Sequence, residues 1–428
     1  ALAVLVALIG LAAHQVQAAP LTLDDALRLA QDRSRMLPAQ EALAAASREM
    51  AVAAGQRPDP TLKAGINNLP IDGPDRFSLT RDFMTMRRIG VMQEFTRDEK
   101  RQLRTRRYEA EADKSLVEKD AAVAAIQRDT ALAWLDRYYA EAMAVLIGEQ
   151  LMQIDLEIIA AESAYRGGRG SQVDVFTAQS VRAGLEDRAS EIGRRTRTAE
   201  AALGRWVGAV GDVPLAGKPD IDSVRLDKEA LETQLVRHPQ IAVLGQRELI
   251  AETEVKLAQA NKKSDWSVEL MYSQRGPAFS NMVSMSVSIP LQWDQKNRQD
   301  RELSSRRAMV EQARAERDDM LRAHVAEIRA MLAEWESGRE RLARYAREIV
   351  PLSKQRTQAV LAAYRGGKSS LTELLGAHRN EVDVRIQAVQ LEMDTARVWA
   401  QLNFMFPDGT VHKDVSTPLG VSRWKEAK

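Results

Sequence analysis

The sequence predicts a mainly helical chain with a small β component, built as two copies of one unit. Three observations carry that reading. Alanine-rich stretches with apolar residues spaced three and four apart run for tens of residues, the pattern of packed helices. Four short runs alternate apolar and polar residues, the period of a strand. One glycine-broken phrase occurs twice, as AYRGGRGSQVDV from Ala164 to Val175 and as AYRGGKSSLTEL from Ala363 to Leu374.

Of the 428 residues, 45% are hydrophobic, enough for a core, and 28% are charged. The 61 Lys and Arg nearly balance the 60 Asp and Glu, so no basic excess points to nucleic acid. With no cysteine there is no thiolate zinc site, disulfide or cysteine nucleophile, and no lipid on an N-terminal cysteine is expected.

The elements follow in order. The apolar run Ala1–Ala13, followed by the small residues Val16, Ala18 and Ala19, predicts an export signal over 1–18. A helix is expected over about 22–56, with Pro38 near its first third. Thr61–Leu69 and Ile89–Phe95 read as strands joined by a polar loop with Pro70, Gly73 and Pro74. Residues 100–165 read as one rod on the order of 95 Å long. Its seam is drawn by Leu132, Leu135, Tyr139, Ala142 and Leu146 at coiled-coil spacing. Tyr165-Arg166-Gly167-Gly168 ends it, since glycine accepts the positive φ that lets a helix stop and turn back. Ser171 is the expected N-cap of a return helix over 171–206, with Asp174 in its first turn, where the helix dipole favours an acid.

The second half repeats this order. RLDKEALETQLVRHPQ (225–240) resembles TLDDALRLAQDRSRMLPAQ (22–40), and SVSIPLQWDQKNRQDR (286–301) resembles GVMQEFTRDEKRQLR (90–104). A helix is expected over about 226–262. Trp266–Tyr272 and Val283–Leu291 alternate as strands. Both halves are expected to pass from strand directly into rod, at Phe95–Lys100 and at Trp293–Arg298. The second rod spans 298–364, with Leu321, Val325, Ile328, Leu332, Trp335, Leu342, Ala346 and Ile349 along one seam and Arg339 in one slot. Tyr364-Arg365-Gly366-Gly367 breaks it, and Ser370 and Glu373 start the return helix over 370–404. The expected domains are therefore a first repeat over 19–206, a Gly/Pro-rich linker over 207–225, a second repeat over 226–405 and a C-terminal segment over 406–428. Each tandem phrase is the tip of a helical hairpin.

No segment has ~20 consecutive apolar residues, so no helix is expected to span a bilayer. Four alternating strands cannot close a barrel alone, and open strand edges are not tolerated in lipid. Several copies together can close one.

The doubled tips YRGGRGSQVDV and YRGGKSSLTEL, the twofold order of parts and the export signal make the chain, from about 20 to 424, similar to the TolC family of outer-membrane efflux proteins. The stretch Asn67–Phe95 further resembles the heavy-metal, cobalt–zinc–cadmium branch. The resemblance implies a homotrimer in the outer membrane of a Gram-negative bacterium. Its fold would be mainly α with β, a shared 12-stranded transmembrane β-barrel with four strands per protomer over a long coiled-coil periplasmic tunnel. It implies a periplasmic adaptor (membrane fusion) protein docking at Tyr165, Arg166, Gly167, Gly168, Tyr364, Arg365, Gly366 and Gly367. It also implies an inner-membrane resistance–nodulation–division pump, outer-membrane lipid as surroundings, and a passive channel with no cofactor. Acids past the second tip line the family's periplasmic entrance; Glu373 matches one, Gly376 replaces another, and Asp174 is the first-half equivalent. A ring of three such carboxylates would attract cations.

Against a dedicated metal site, His14, His238, His324, His378 and His412 form no close sequence pair. Met84, Met86 and Met92 are the candidate soft contacts, read first as ordinary loop or strand residues. No nucleophile elbow, triad spacing or nucleotide loop supports catalysis. The rival function is a pore-less periplasmic adaptor or structural coiled coil; the rival cargo is small organic toxicants instead of divalent heavy metals.

Overall fold

The computed structural model describes residues 20–209, 213–226 and 231–407. The expected signal at 1–18, the segment 408–428, His14 and His412 lie outside them. In chain order the elements are α1 (Leu23–Arg33), α2 (Met36–Gly55), β1 (Thr61–Asn67), β2 (Met86–Phe95), α3 (Asp98–Arg166) and α4 (Gln172–Val207). The second half continues with α5 (Leu231–Leu235), α6 (Pro239–Asn261), β3 (Trp266–Gln274), β4 (Met282–Ser288), α7 (Gln299–Arg344), a π-helical turn (Tyr345–Ile349), α8 (Val350–Arg365) and α9 (Leu371–Asn403). No described helix is long and apolar enough to cross a membrane.

The chain divides into two compact units, each drawing on both sequence halves. One comprises residues up to 34, 123–226 and from 328 onward; the other comprises 35–122 and 227–327. The rods α3 and α7 each contribute to both.

The first unit holds the hairpins. Its apolar seam joins Met143, Ile147, Ile154 and Ala161 of α3 to Val175, Ala178, Leu185 and Ile192 of α4, and to Leu371, Leu374, Leu375 and Val382 of α9. The α3 positions repeat at four- and seven-residue steps, as coiled-coil packing requires. Indole N–H groups fasten the segments that precede α1 and α5. Trp134 donates to the Leu21 carbonyl (3.2 Å), and Trp335 donates to the Ile221 carbonyl (3.0 Å). These bonds span 113 and 114 residues, so the repeat extends to tertiary contacts. Trp399 adds a bond to the Ser223 carbonyl at 2.8 Å.

The second unit holds a four-stranded antiparallel sheet in the order β1-β2-β3-β4. The central β2–β3 pairing, Phe95 opposite Trp266 through Arg87 opposite Gln274, joins the two halves. Helix packing here is polar. Glu248, 8% exposed, accepts from Arg314 at 2.7 Å and also from Arg317; Glu254 binds Arg306 at 2.5 Å and Arg107 at 3.1 Å. The nearly buried Lys100 binds Asp265 at 2.9 Å, at the foot of the sheet.

Four expectations are corrected, each at a proline. The helix over 22–56 is two helices, α1 and α2, with Ser34 extended between them and Pro38 in the first turn of α2. The helix over 226–262 is likewise interrupted, and α6 starts at Pro239. Proline has no N–H to donate, so it sits where a helix begins. In the second rod the π turn ends two residues before Pro351, whose ring would clash with the carbonyl four residues earlier in a regular helix. It shifts the seam, and Ala346 is exposed. The fourth correction concerns the entry to that rod. β4 stops at Ser288, short of Pro290, so ten residues rather than a direct junction lead to α7, whereas α3 follows β2 closely.

Candidate functional site

Two features have functional geometry: the hairpin tips of the first unit and the sheet of the second.

The two tips share one turn and cap geometry. Helix α3 ends with Gly168 at φ +69°, and α8 with Gly367 at φ +70°. Gly168 N–H donates to the Tyr165 carbonyl (3.0 Å) and Arg169 N–H to the Ala164 carbonyl (2.9 Å). Gly367 donates to Tyr364 (3.0 Å) and Lys368 to Ala363 (2.8 Å). This is the paired bond set of a Schellman stop, which satisfies the helix's last carbonyls. Each return helix then starts with a reciprocal capping box. Asp174 N–H donates to Ser171 Oγ (3.2 Å) while Ser171 N–H donates to the Asp174 carboxylate (3.0 Å). Glu373 and Ser370 exchange the same bonds at 3.2 and 3.0 Å, and Ser369 Oγ adds a third at 2.5 Å. That hydroxyl, with the Ser370 amide, holds the Glu373 carboxyl below its usual range. Of the expected gate acids, Glu373 is thus an exposed cap and Asp174 a half-buried one, each the third residue of its return helix.

Around the turns Tyr165, Arg166, Gly167, Gly168, Arg365, Gly366 and Gly367 are exposed, and Tyr364 is half-buried against the seam. The tips differ beyond the shared phrase. Val173 and Phe176 of the first are 70% and 59% exposed. At the position matching Phe176 the second tip buries Leu375, and at the position matching Val173 it carries the polar Thr372. The doubled glycines gave no sign of this asymmetry.

The register sorts the sheet into two faces. One carries Leu62, Ala64 and Ile66; Ile89 and Val91; Trp266, Val268, Leu270 and Tyr272; and Val283, Met285 and Val287. It is apolar and largely exposed. Its polar members are Arg87 opposite Gln274 at one end, and Gln93 toward the other, which donates to the Pro58 carbonyl at 2.8 Å. Phe95 stacks on Trp266 with centroids 4.4 Å apart, and Trp293 is 88% exposed beyond β4. The opposite face carries Lys63 paired with Glu269, together with Arg88, Glu94, Ser267, Ser273, Ser284, Ser286 and Ser288. Gly90 stands here because a Cβ would lie 2.4 Å from the Leu270 carbonyl oxygen. Met86 and Met92 share this face, and Met84 lies in the exposed loop before β2. An apolar outer face, a polar inner face and aromatic residues near one rim are the composition of a membrane barrel wall. In the described chain the edges β1 and β4 are unpaired.

Among the described residues, no group of three or more His, Asp or Glu could hold a metal. The structure does pair histidines that sequence spacing left apart. The rings of His238 and His324 lie 4.9 Å apart, and His378 meets Glu157, 221 positions away in the chain.

No family model matches the chain, and no curated protein matches it. Solved structures do. The outer-membrane channel OprN superposes with a TM-score of 0.75 at 16% identity, covering 90% of each chain. The outer membrane protein VceC from Vibrio cholerae gives 0.72 at 18% identity, over 90% of this chain and 95% of that one. CusC, solved in connection with folding and transmembrane channel formation, gives 0.73 at 16% identity, over 89% and 91%. The chain therefore has the fold of these outer-membrane channels: long helices with one small antiparallel sheet.

Proposed function

We propose that the chain is one protomer of a TolC-family, trimeric outer-membrane efflux channel, a passive conduit in a Gram-negative envelope. The observation that carries this reading is the sheet. It has one apolar, exposed face, one polar face and two unpaired edges, an arrangement unsatisfied in lipid until further strands join β1 to β4. Three copies of four strands close such a barrel, with the serine-rich face turned to the lumen.

In the same reading the hairpin tips meet a periplasmic adaptor, which delivers substrate from an inner-membrane resistance–nodulation–division pump. The repeated turn supplies Tyr165, Arg166, Gly167, Gly168, Tyr364, Arg365, Gly366 and Gly367. The exposed Val173 and Phe176 give the first tip an apolar surface for a partner. Glu373 and Asp174 are the candidate acids at the periplasmic entrance, where three copies would favour cations. Divalent heavy-metal cations are the proposed cargo; small organic toxicants are the alternative.

Reconstitution in a planar bilayer tests the conduit. Stepwise conductance from a detergent-extracted trimer is expected; a soluble, non-conducting periplasmic monomer would overturn it. Zinc, cobalt and cadmium tolerance in a deletion strain tests the cargo, and unchanged tolerance to all three would move it to organic compounds.

A further inference from the structure

Glu157 stands in the apolar seam of the hairpin unit, on α3 and about three turns before the first tip. Its neighbours along the seam, Ile154 and Ala161, are each 1% exposed, and its own side chain is 7% exposed. Across the seam His378 of α9 brings Nε2 to 3.3 Å from Glu157 Oε1. The two groups lie within ion-pair distance but do not form a hydrogen bond: His378 Nε2 and Glu157 Oε2 are both buried without a hydrogen-bond partner. Gln153 donates to Oε1 at 3.3 Å.

The surroundings supply no other counter-charge. Along α3, Asp155 is bound by Arg182 of α4, which also holds Glu186, and Glu149 is bound by Arg385 of α9. Arg188 of α4 is bound to Asp383 of α9. On α9, Arg379 is exposed beside His378, and Glu381 follows one turn later, half-exposed. Helix α8 presents Val360, Leu361 and Tyr364 to the seam and the Thr357 hydroxyl to the Ala377 carbonyl, while its Lys354 and Arg356 are exposed.

We propose that Glu157 and His378 form a one-proton clasp between the two hairpins, closed while the pair shares a single proton and loosened when that proton leaves as pH rises. With one proton the pair is net neutral, whichever group holds it. A second proton adds a positive charge on His378, whose side chain is 16% exposed and can reach water. Removing the last proton leaves a bare carboxylate in the seam, with Oε2 unsatisfied. An uncompensated buried charge is the costlier of the two states. Burial pushes the Glu157 carboxyl above its ordinary range, against the opposing pull of His378 and Gln153. For a raised group, the favourable contact is present at low pH and is lost as pH rises through the raised value. The clasp is independent of what the channel carries.

The chain has no cysteine, so Ala160→Cys on α3 and Asn380→Cys on α9, both exposed, can be spin-labelled uniquely in the full-length protein. Their separation, measured by electron–electron double resonance from about pH 5.5 to 9.5, is expected to lengthen or broaden in one transition as pH rises. Glu157→Gln should abolish that transition, and Glu157→Leu with His378→Leu should hold the short distance throughout. A pH-independent distance in the parent overturns the clasp, as does an unchanged transition in Glu157→Gln. If the Gln variant does not assemble, a transition persisting in the double-Leu variant overturns it equally.

Discussion

Gly168 and Gly367 each occupy a left-handed backbone position at the point where a rod turns back. A side chain there meets the steric cost of the left-handed region, about 1–2 kcal/mol. Gly168→Ala and Gly367→Ala are each expected to lower stability by about that amount, measurable as a fall in the denaturation midpoint. Gly184→Ala, at an open helical position, should not lower it. Glu373 acts beside the second turn. Its carboxyl is held below the ordinary value, so its capping contribution is present above the unfolded-state pKa and is lost as pH falls through the folded one. Glu373→Gln is expected to remove that acid-side loss from the stability profile while leaving the neutral-to-alkaline side unchanged. A titration showing Glu373 at or above the ordinary carboxylate range would contradict the capping geometry.

At the scale of an element, the sheet's two faces make opposite demands. Val283→Arg and Leu270→Arg place a charge on the apolar face, where the cost at mid-membrane is about 2–4 kcal/mol. Both are expected to reduce folded protein in the membrane fraction, measured by heat-modifiable migration after extraction. Ser284→Arg, one residue along β4 on the polar face, should be tolerated; equal loss from all three would show that the faces are assigned wrongly. The π turn poses a different test. Pro351→Ala restores a donor N–H and removes the ring clash, so the second rod should regain regular helical hydrogen bonding, visible as slower amide exchange over 345–351.

For the whole molecule, the unpaired edges β1 and β4 set the expectation. A lone copy leaves both rows of backbone groups without partners, so the protein extracted in detergent should run as a trimer that dissociates only with loss of the sheet. A stably folded solitary protomer in amphiphile-free buffer would remove the basis of the channel reading. The compact units also predict how damage spreads. Trp335→Phe deletes one buried indole bond to Ile221, worth about 1 kcal/mol, within the hairpin unit alone. Near-wild-type folding of the sheet is expected in that variant.

Much of this architecture could be read from local chemistry. Tyr-Arg-Gly-Gly followed by Ser-x-x-acid specifies a helix stop and a helix start without help from distant residues, and alternation with period two marks the strands. What tertiary structure decided was the pairing of groups far apart in sequence. Sequence spacing leaves His378 alone, because its partner Glu157 lies on another hairpin and is paired with it only by packing. The burial of Leu375 beside the exposure of Phe176, at matching places in the repeat, has the same origin. A local motif carries its own hydrogen-bond partners with it, whereas burial and charge pairing depend on which helix face the fold brings opposite.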